Sequence, residues 1–85
     1  MAAADDLEQI SLYLQANLPA FASETVERIY YSAKSLRQFH DKGRPGRFEG
    51  TRELVLNPLP YLVIYSTSTE CVHLLRIVHG AQDRY

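Results

Sequence analysis

The stretch "DKGRPGRFEGTREL", residues 41–54, marks the point where one type of secondary structure gives way to another. It combines four cationic side chains with three glycines and a proline, and it runs directly into apolar residues. The glycines and the proline interrupt any helical pattern, so residues 41–50 are predicted to form a loop. The residue types on either side of this loop therefore decide the fold.

On the N-terminal side of the loop, apolar side chains recur at helical spacing in two segments. In residues 4–17 they lie on one face, and two aspartates fall in the first turn, where the helix dipole favours anions. Pro19 suits the first turn of a second helix, whose apolar stripe continues to about Phe39. Because so short a turn joins them, the two helices are predicted to pack as an antiparallel hairpin.

On the C-terminal side, β-branched and aromatic residues dominate three runs, "TRELVLN", "YLVIYSTS" and "CVHLLRIVHG". Pro58 and Pro60 separate the first two runs, and the polar "STSTE" is predicted to turn between the second and third. The predicted fold class is α+β, with an N-terminal antiparallel helix hairpin packed on a three-stranded antiparallel sheet. All of it is expected to form a single domain, residues 1–85.

Strict alternation along the strands predicts which side chains share a face. On the second strand, one face is expected to carry Tyr61, Val63 and Tyr65. On the third strand, one face is expected to carry Val72, Leu74, Arg76 and Val78. Both faces are largely apolar and two helices cover only one of them, so we expect an open hydrophobic groove on the other. The alternative is a sheet buried on both sides by loops or by self-association.

Composition and charge narrow the class of protein. A chain of 85 residues, 46% of them hydrophobic, supports one modest core. A single cysteine excludes an internal disulfide, and no apolar run approaches the roughly 20 residues of a membrane span, so a cytoplasmic protein is expected. Residues 1–27 hold five acids and no Lys or Arg, whereas residues 28–52 hold seven bases and two acids. This positive middle third biases which partners approach.

Motifs for metal, phosphate or nucleic-acid chemistry are absent from the sequence. The three histidines are scattered, and Cys71 has no second thiol at zinc spacing, so neither a metal nor another cofactor is expected. The segment "GRPGRFEG" lacks the Gly-Lys-Ser/Thr ending of a phosphate-binding loop. Nothing resembles a recognition helix, so direct DNA binding is not expected.

The order of these features resembles a known family. The segments "RPGRFEGTRELVL", "PYLVIYS" and "VHLLRIVHGAQ" resemble the C-terminal two-thirds of the ParE/RelE superfamily, the toxins of bacterial type II toxin–antitoxin pairs. The opening "ADDLEQISLYLQANLPAFASETVERI" resembles the helix hairpin of the same family. Members usually begin with a strand before the first helix, and this strand is expected to be missing here. An edge of the sheet would then be open to a partner or a second copy.

The resemblance implies one of two activities. The superfamily contains ribosome-dependent mRNA interferases of the RelE kind and ParE-like toxins that act on DNA gyrase. Many interferases carry an arginine where this chain has Leu62, and a His-Tyr or lone Tyr where it reads "HGAQDRY". The resemblance therefore favours a ParE-like gyrase inhibitor that is not an enzyme. The alternatives are an interferase with the atypical catalytic set Arg47, Arg52, Arg76, His79 and Tyr85, and a non-toxic remnant of the family.

The resemblance also implies a cognate antitoxin, ParD-like or similar. Such a partner is expected to lay an extended or helical segment along the apolar face of the sheet and the helix hairpin. The groove residues expected to contact it are Val55, Tyr61, Val63, Tyr65, Leu74 and Arg76. Three cations, Arg44, Arg47 and Arg52, are expected to attract an acidic antitoxin tail. The simpler interpretation of each cation is a solvated surface charge.

Overall fold

A computed structural model describes residues 2–80 as two helices followed by a sheet. The elements are α1 (Ala2–Asn17), α2 (Pro19–Ser35), β1 (Arg44–Pro45), β2 (Thr51–Val55), β3 (Tyr61–Thr67) and β4 (Val72–His79). The helices precede the strands in the chain and pack against them, so the predicted α+β class is confirmed.

The helix hairpin has the predicted form. Leu18 alone separates the helices, and Pro19 occupies the first turn of α2, where its missing amide hydrogen costs no helical hydrogen bond. The second helix ends earlier than the predicted Phe39. From Leu36 to Gln38 each amide donates to the carbonyl three residues back. This is the hydrogen-bond pattern of a 3₁₀ turn, and it ends the α-helix.

The sheet is an antiparallel meander in the order β1-β2-β3-β4. The three predicted strands are present, and a fourth, of two residues, lies within the predicted loop. Arg44 and Pro45 pair with Glu53 and Arg52, so the count of three strands was one too low. A proline is tolerated here because β1 lies at the edge of the sheet, where its missing amide hydrogen breaks no interior ladder. Within residues 2–80 no strand precedes α1.

A β-bulge changes the faces of β4. Ile64 pairs with Arg76 while the next residue, Tyr65, pairs with Leu74, so Leu75 is the extra residue on β4. The predicted alternation is therefore wrong across this point. Leu74 shares the face of Tyr65, whereas Arg76 shares the face of Ile64.

The core lies between the helices and one face of the sheet. Its buried members are Ala3, Ile29, Ala33, Leu36, Leu54, Leu56, Tyr61, Val63, Tyr65 and Ile77. The helices contribute small and branched residues while β3 contributes two tyrosines, so large side chains of the sheet fill the space that small helix residues leave.

Candidate partner-binding site

An apolar groove lies between the helix hairpin and the start of β3. It encloses about 630 Å³. Its walls are mostly aliphatic and aromatic, from Gln9, Ile10, Tyr13, Leu14, Leu18, Phe21, Thr25, Leu59, Pro60, Tyr61 and His79. Tyr13 and Phe21 are each 60% exposed, and Leu18 is 49% exposed. Clustered exposure of large apolar side chains on a small domain marks a surface for a partner.

The short connection between the helices produces this exposure. Leu14 and Ala22 are buried, so they fix the inner faces of α1 and α2 near the turn. With Leu18 as the whole connection, its side chain has no neighbouring loop to cover it. The side-chain amide of Asn17 donates to the Tyr13 carbonyl at 2.9 Å and holds the end of α1 in place. The exposed apolar wall is therefore a consequence of the one-residue connection between the helices.

Tyr61 and His79 form the far end of the groove. Their rings meet edge to face, with centroids 5.6 Å apart. Burial raises the pKa of the Tyr61 phenol, and the nearby Tyr13 adds to the effect because two phenolates would repel each other. Ionisation of the Tyr61 hydroxyl is therefore shifted toward more alkaline pH.

The sheet does not carry the open hydrophobic groove that the sequence predicts. Tyr61, Val63 and Tyr65 are at most 7% exposed and lie in the core with the helices. On the opposite face Ile64 and Val78 are each 2% exposed, so the centre of that face is closed as well. Alternation shows which side chains share a face of a strand, but it does not show which face the helices cover.

The other predicted sheet contacts have mixed environments. Val55 is 36% exposed and is available to a partner. Leu74 is half-buried against the core, because the bulge turns it toward the helices. These two positions stay predicted antitoxin contacts, and they lie on different faces of the sheet.

Arg44 forms an ion pair with a buried carboxylate. Its Nε and Nη2 donate to Glu53 Oε1 at 3.2 and 3.1 Å, and the Arg47 amide donates to Glu53 Oε2 at 3.3 Å. Glu53 is 8% exposed, so an unpaired charge there would be costly. Part of the basic loop therefore folds back to neutralise its own neighbour on β2.

Arg52 and Tyr65 fix the start of the same loop. The Arg52 Nη2 donates to the Asp41 carbonyl at 3.0 Å and to the Gly43 carbonyl. The Tyr65 hydroxyl accepts from the Gly43 amide at 2.9 Å and donates to the His40 carbonyl at 2.8 Å. Gly43 is required here because a Cβ would lie 2.5 Å from that hydroxyl oxygen. Arg52, on β2, therefore holds the start of the loop in place through the Asp41 and Gly43 carbonyls.

Arg76 binds the first helix. Its Nε and Nη2 donate to the two carboxylate oxygens of Asp6 at 2.6 and 3.1 Å, and Asp6 also accepts from the Ile77 amide at 2.9 Å. The hydrogen bond and the charge of Asp6 raise the pKa of the Arg76 guanidinium further above its ordinary value. The contact joins residues 70 positions apart, so it fixes α1 to β4.

The structure does not assemble the predicted interferase set. Arg52 pairs with Tyr65 and His79 with Tyr61, which places both on the core face, whereas Arg76 pairs with Ile64 on the opposite face. Arg47 lies in the connection between β1 and β2, and Tyr85 lies outside the described residues. Arg76 therefore leaves the sheet on the face opposite Arg52 and His79, and its guanidinium is bound by Asp6 of α1 at the edge of the sheet.

Other kinds of site are not found among the residues that the structure describes. They contain no group of three or more His, Cys, Asp or Glu side chains able to hold a metal ion. The Cys71 Sγ, on the exposed β3–β4 turn, lies 3.2 Å from Nε2 of His73 on β4, and two such side chains are a pair and not a metal-binding cluster. None of the described helices has the length and hydropathy of a membrane span.

Sequence reasoning missed the exposed part of the groove. The helical spacing of residues 4–17 predicts that Tyr13 lies on the apolar face of α1, and neither helical pattern gives Leu18 or Phe21 a role. A signal was present, because Leu12, Tyr13, Leu18 and Phe21 widen the apolar surface beyond the stripe that the hairpin needs. Excess apolar residues around a short turn are the pattern that indicates such a surface.

Comparison with known proteins agrees with this fold. The family described as "ParE toxin of type II toxin-antitoxin system, parDE" matches residues 1–84. The chain is 37% identical over 77 residues to the candidate toxin Y4kP of Sinorhizobium fredii, covering 91% of this chain and 79% of that protein. It is 34% identical over 77 residues to Toxin RelE2 of Caulobacter vibrioides, covering 91% and 85%.

A solved structure shows the same arrangement in three dimensions. It is titled "Chromosomal ParDE TA system from P. aeruginosa" and superimposes with a TM-score of 0.84. The identity is 28%, and the match covers 92% of this chain and 87% of the other. Together with the family match, this establishes that the chain belongs to the ParE toxin family of type II toxin–antitoxin systems.

Proposed function

We propose that the chain is a ParE-like toxin that inhibits DNA gyrase through a protein surface and catalyses no reaction. The observation that carries this proposal is that Arg76 leaves the sheet on the face opposite Arg52 and His79 and that Asp6 holds its guanidinium. General acid–base cleavage of RNA needs its groups within hydrogen-bond reach of one reacting centre. Arg52 and Arg76 instead use their donors on the Gly43 carbonyl and the Asp6 carboxylate. The likeness to a ParDE structure adds support.

Gyrase supercoiling assays test the proposal. Purified protein is expected to inhibit supercoiling by gyrase, and addition of the cognate antitoxin is expected to restore it. Expression without antitoxin is expected to stop growth, which separates a toxin from a non-toxic remnant. Full supercoiling activity in the presence of folded, growth-inhibiting protein would refute gyrase as the target.

We place the antitoxin on the apolar groove of the helix hairpin, which replaces the sheet face expected from the sequence. The groove exposes Tyr13, Leu18 and Phe21, and buried aromatic anchors dominate most protein interfaces. Its wall of two helices fits an amphipathic segment of the partner, whose apolar side chains would fill the space between Phe21 and Tyr61.

Substitution of the exposed aromatic residues tests this placement. Tyr13→Ser and Phe21→Ser are each expected to weaken antitoxin binding by about tenfold or more, because they remove large anchors from the interface. Tyr31→Ser is the matched control, since Tyr31 is 61% exposed on α2 and does not line the groove. Isothermal titration calorimetry measures the affinities. Equal affinity of all three variants would show that the antitoxin binds elsewhere.

A second candidate function is ribosome-dependent mRNA cleavage, which the likeness to Toxin RelE2 favours. In that case His79 would serve as the general acid or base from the end of the groove. Ribosomes programmed with mRNA decide the question. Cleavage in the A site that is lost on His79→Ala would replace the gyrase proposal, whereas intact mRNA would leave it in place.

A further inference from the structure

A second, smaller cavity lies between α2 and the connection from β2 to β3. It encloses about 210 Å³ and is separate from the groove apart from Leu59, which lines both. Four polar residues line it, Arg28, Ser32, Lys42 and Asn57. The remaining wall is aliphatic, from Leu54, Val55, Leu56 and Leu59. No Asp or Glu lines the cavity, so its field is positive.

The donors of this cavity are unused within residues 2–80. No described group accepts a hydrogen bond from the side chains of Arg28, Lys42 or Asn57, and the Ser32 hydroxyl has no described partner. Arg44 and Arg76 differ from Arg28, because each binds a carboxylate. Unpaired donors that line one cavity indicate a ligand that accepts hydrogen bonds.

The donor set indicates the class of ligand. Arg28 and Ser32 are one helical turn apart on α2, while Lys42 and Asn57 come from two separate loops. Donors supplied by three separate segments of the chain suit the oxygens of a tetrahedral anion better than the two coplanar oxygens of a carboxylate. Two positive charges match a dianion, and a guanidinium paired with an ammonium is a common phosphate-binding combination.

The volume limits the size of the ligand. About 210 Å³ is below the roughly 300–1,000 Å³ of pockets that enclose drug-sized molecules. We propose that this cavity, the phosphate pocket, binds a phosphoryl group, either free phosphate or the terminal group of a phosphomonoester. Its four polar residues neither line the apolar groove nor belong to any contact proposed for the antitoxin, so the site stands or fails independently of the proposed function.

Titration with inorganic phosphate at constant ionic strength, followed by amide NMR shifts, tests the proposal. Saturable shifts are expected at the amides of residues 28, 32, 42 and 57. Arg28→Gln and Lys42→Gln are each expected to weaken binding by about tenfold, the loss typical of a hydrogen bond to a charged group. Both side chains are exposed, so the variants retain the fold.

Controls separate a built site from general attraction to a positive surface. Arg37→Gln removes the same charge from the same third of the chain but does not line the pocket, and it is expected to leave the affinity unchanged. Equal weakening by Arg37→Gln, or equally tight binding of acetate, would overturn the proposal. Adenosine 5'-monophosphate distinguishes the sources, because Arg28-dependent binding of it identifies a phosphomonoester, whereas binding of inorganic phosphate alone identifies the free anion.

Discussion

At the scale of single residues, the Tyr65 hydroxyl ties the sheet to the chain that follows α2. It is fully buried in the core and serves both the Gly43 amide and the His40 carbonyl. Tyr65→Phe leaves both groups without their partner, so the free energy of unfolding is expected to fall by about 1–3 kcal/mol. Urea denaturation measures the loss.

A second tyrosine of the same strand is the control for this prediction. Tyr61 is also buried, but its hydroxyl forms no hydrogen bond within the described residues. Tyr61→Phe is therefore expected to change stability much less than Tyr65→Phe. Equal losses would mean that burial of the ring, and not the two hydrogen bonds, accounts for the contribution of Tyr65.

The raised pKa of the Tyr61 phenol predicts how stability depends on alkaline pH. The native state holds this proton more tightly than the unfolded chain, whose tyrosines titrate near pH 10. Below that pH both states are protonated, and the stabilisation is complete. As the pH rises above 10, the unfolded state loses the proton first and the free energy of unfolding falls.

Titration of tyrosinate absorbance, together with denaturation at each pH, measures this effect. Tyr61→Phe is expected to remove part of the alkaline loss of stability and to leave the profile between pH 6 and about 9 unchanged. An unaltered alkaline profile in Tyr61→Phe would contradict the assignment to this phenol.

At the scale of elements, Asp6 fastens the first helix to the edge of the sheet. Its carboxylate binds the Arg76 guanidinium and the Ile77 amide together, so it replaces the neighbouring strand that this edge amide would otherwise need. The Arg76 side chain is 43% exposed, so solvent screens part of the attraction. Asp6→Ala is expected to lower the free energy of unfolding by about 1–2 kcal/mol.

Hydrogen exchange locates the effect of this change. Asp6→Ala is expected to speed exchange of the Ile77 amide, whereas Asp5→Ala, which changes an exposed neighbour in the same turn, is expected to leave it unchanged. If both variants exchanged alike at Ile77, the contribution of Asp6 would come from helix charge and not from the contact with β4.

The elements also show what the sequence could predict. Periodicity identified both helices and the three longer strands, because each pattern is local to its segment. The bulge at Leu75, the pairing of Arg44 with Glu53 and the contact of Asp6 with Arg76 depend on which distant segments meet. No local pattern contains that information. Arg52 was predicted as a partner contact for the same reason, since the carbonyls that it binds come within its reach only when the loop is folded.

At the scale of the whole molecule, charge is divided along the chain. Residues 1–27 carry five acids and no Lys or Arg, and residues 28–52 carry seven bases and two acids. Some of the bases are internally paired, but Lys34 and Arg37 remain exposed on the surface. An acidic antitoxin would therefore be steered toward the C-terminal half of α2 before it reaches the groove.

Salt dependence of association tests this steering. The association rate is expected to fall by about tenfold between roughly 0.05 and 0.5 M salt, because the screening length shortens over this range. The dissociation rate is expected to change little, since apolar contacts would hold the complex together if the antitoxin binds in the proposed groove. Stopped-flow mixing measures both rates.

Paired charge variants decide whether the basic surface causes the effect. Lys34→Gln with Arg37→Gln is expected to slow association at low salt and to flatten its salt dependence. Glu8→Gln with Glu24→Gln removes two exposed acids and is expected to speed association slightly or leave it unchanged. An association rate independent of salt, or equal slowing by both pairs, would mean that the groove alone guides the partner. The positive middle third would then have no part in recognition.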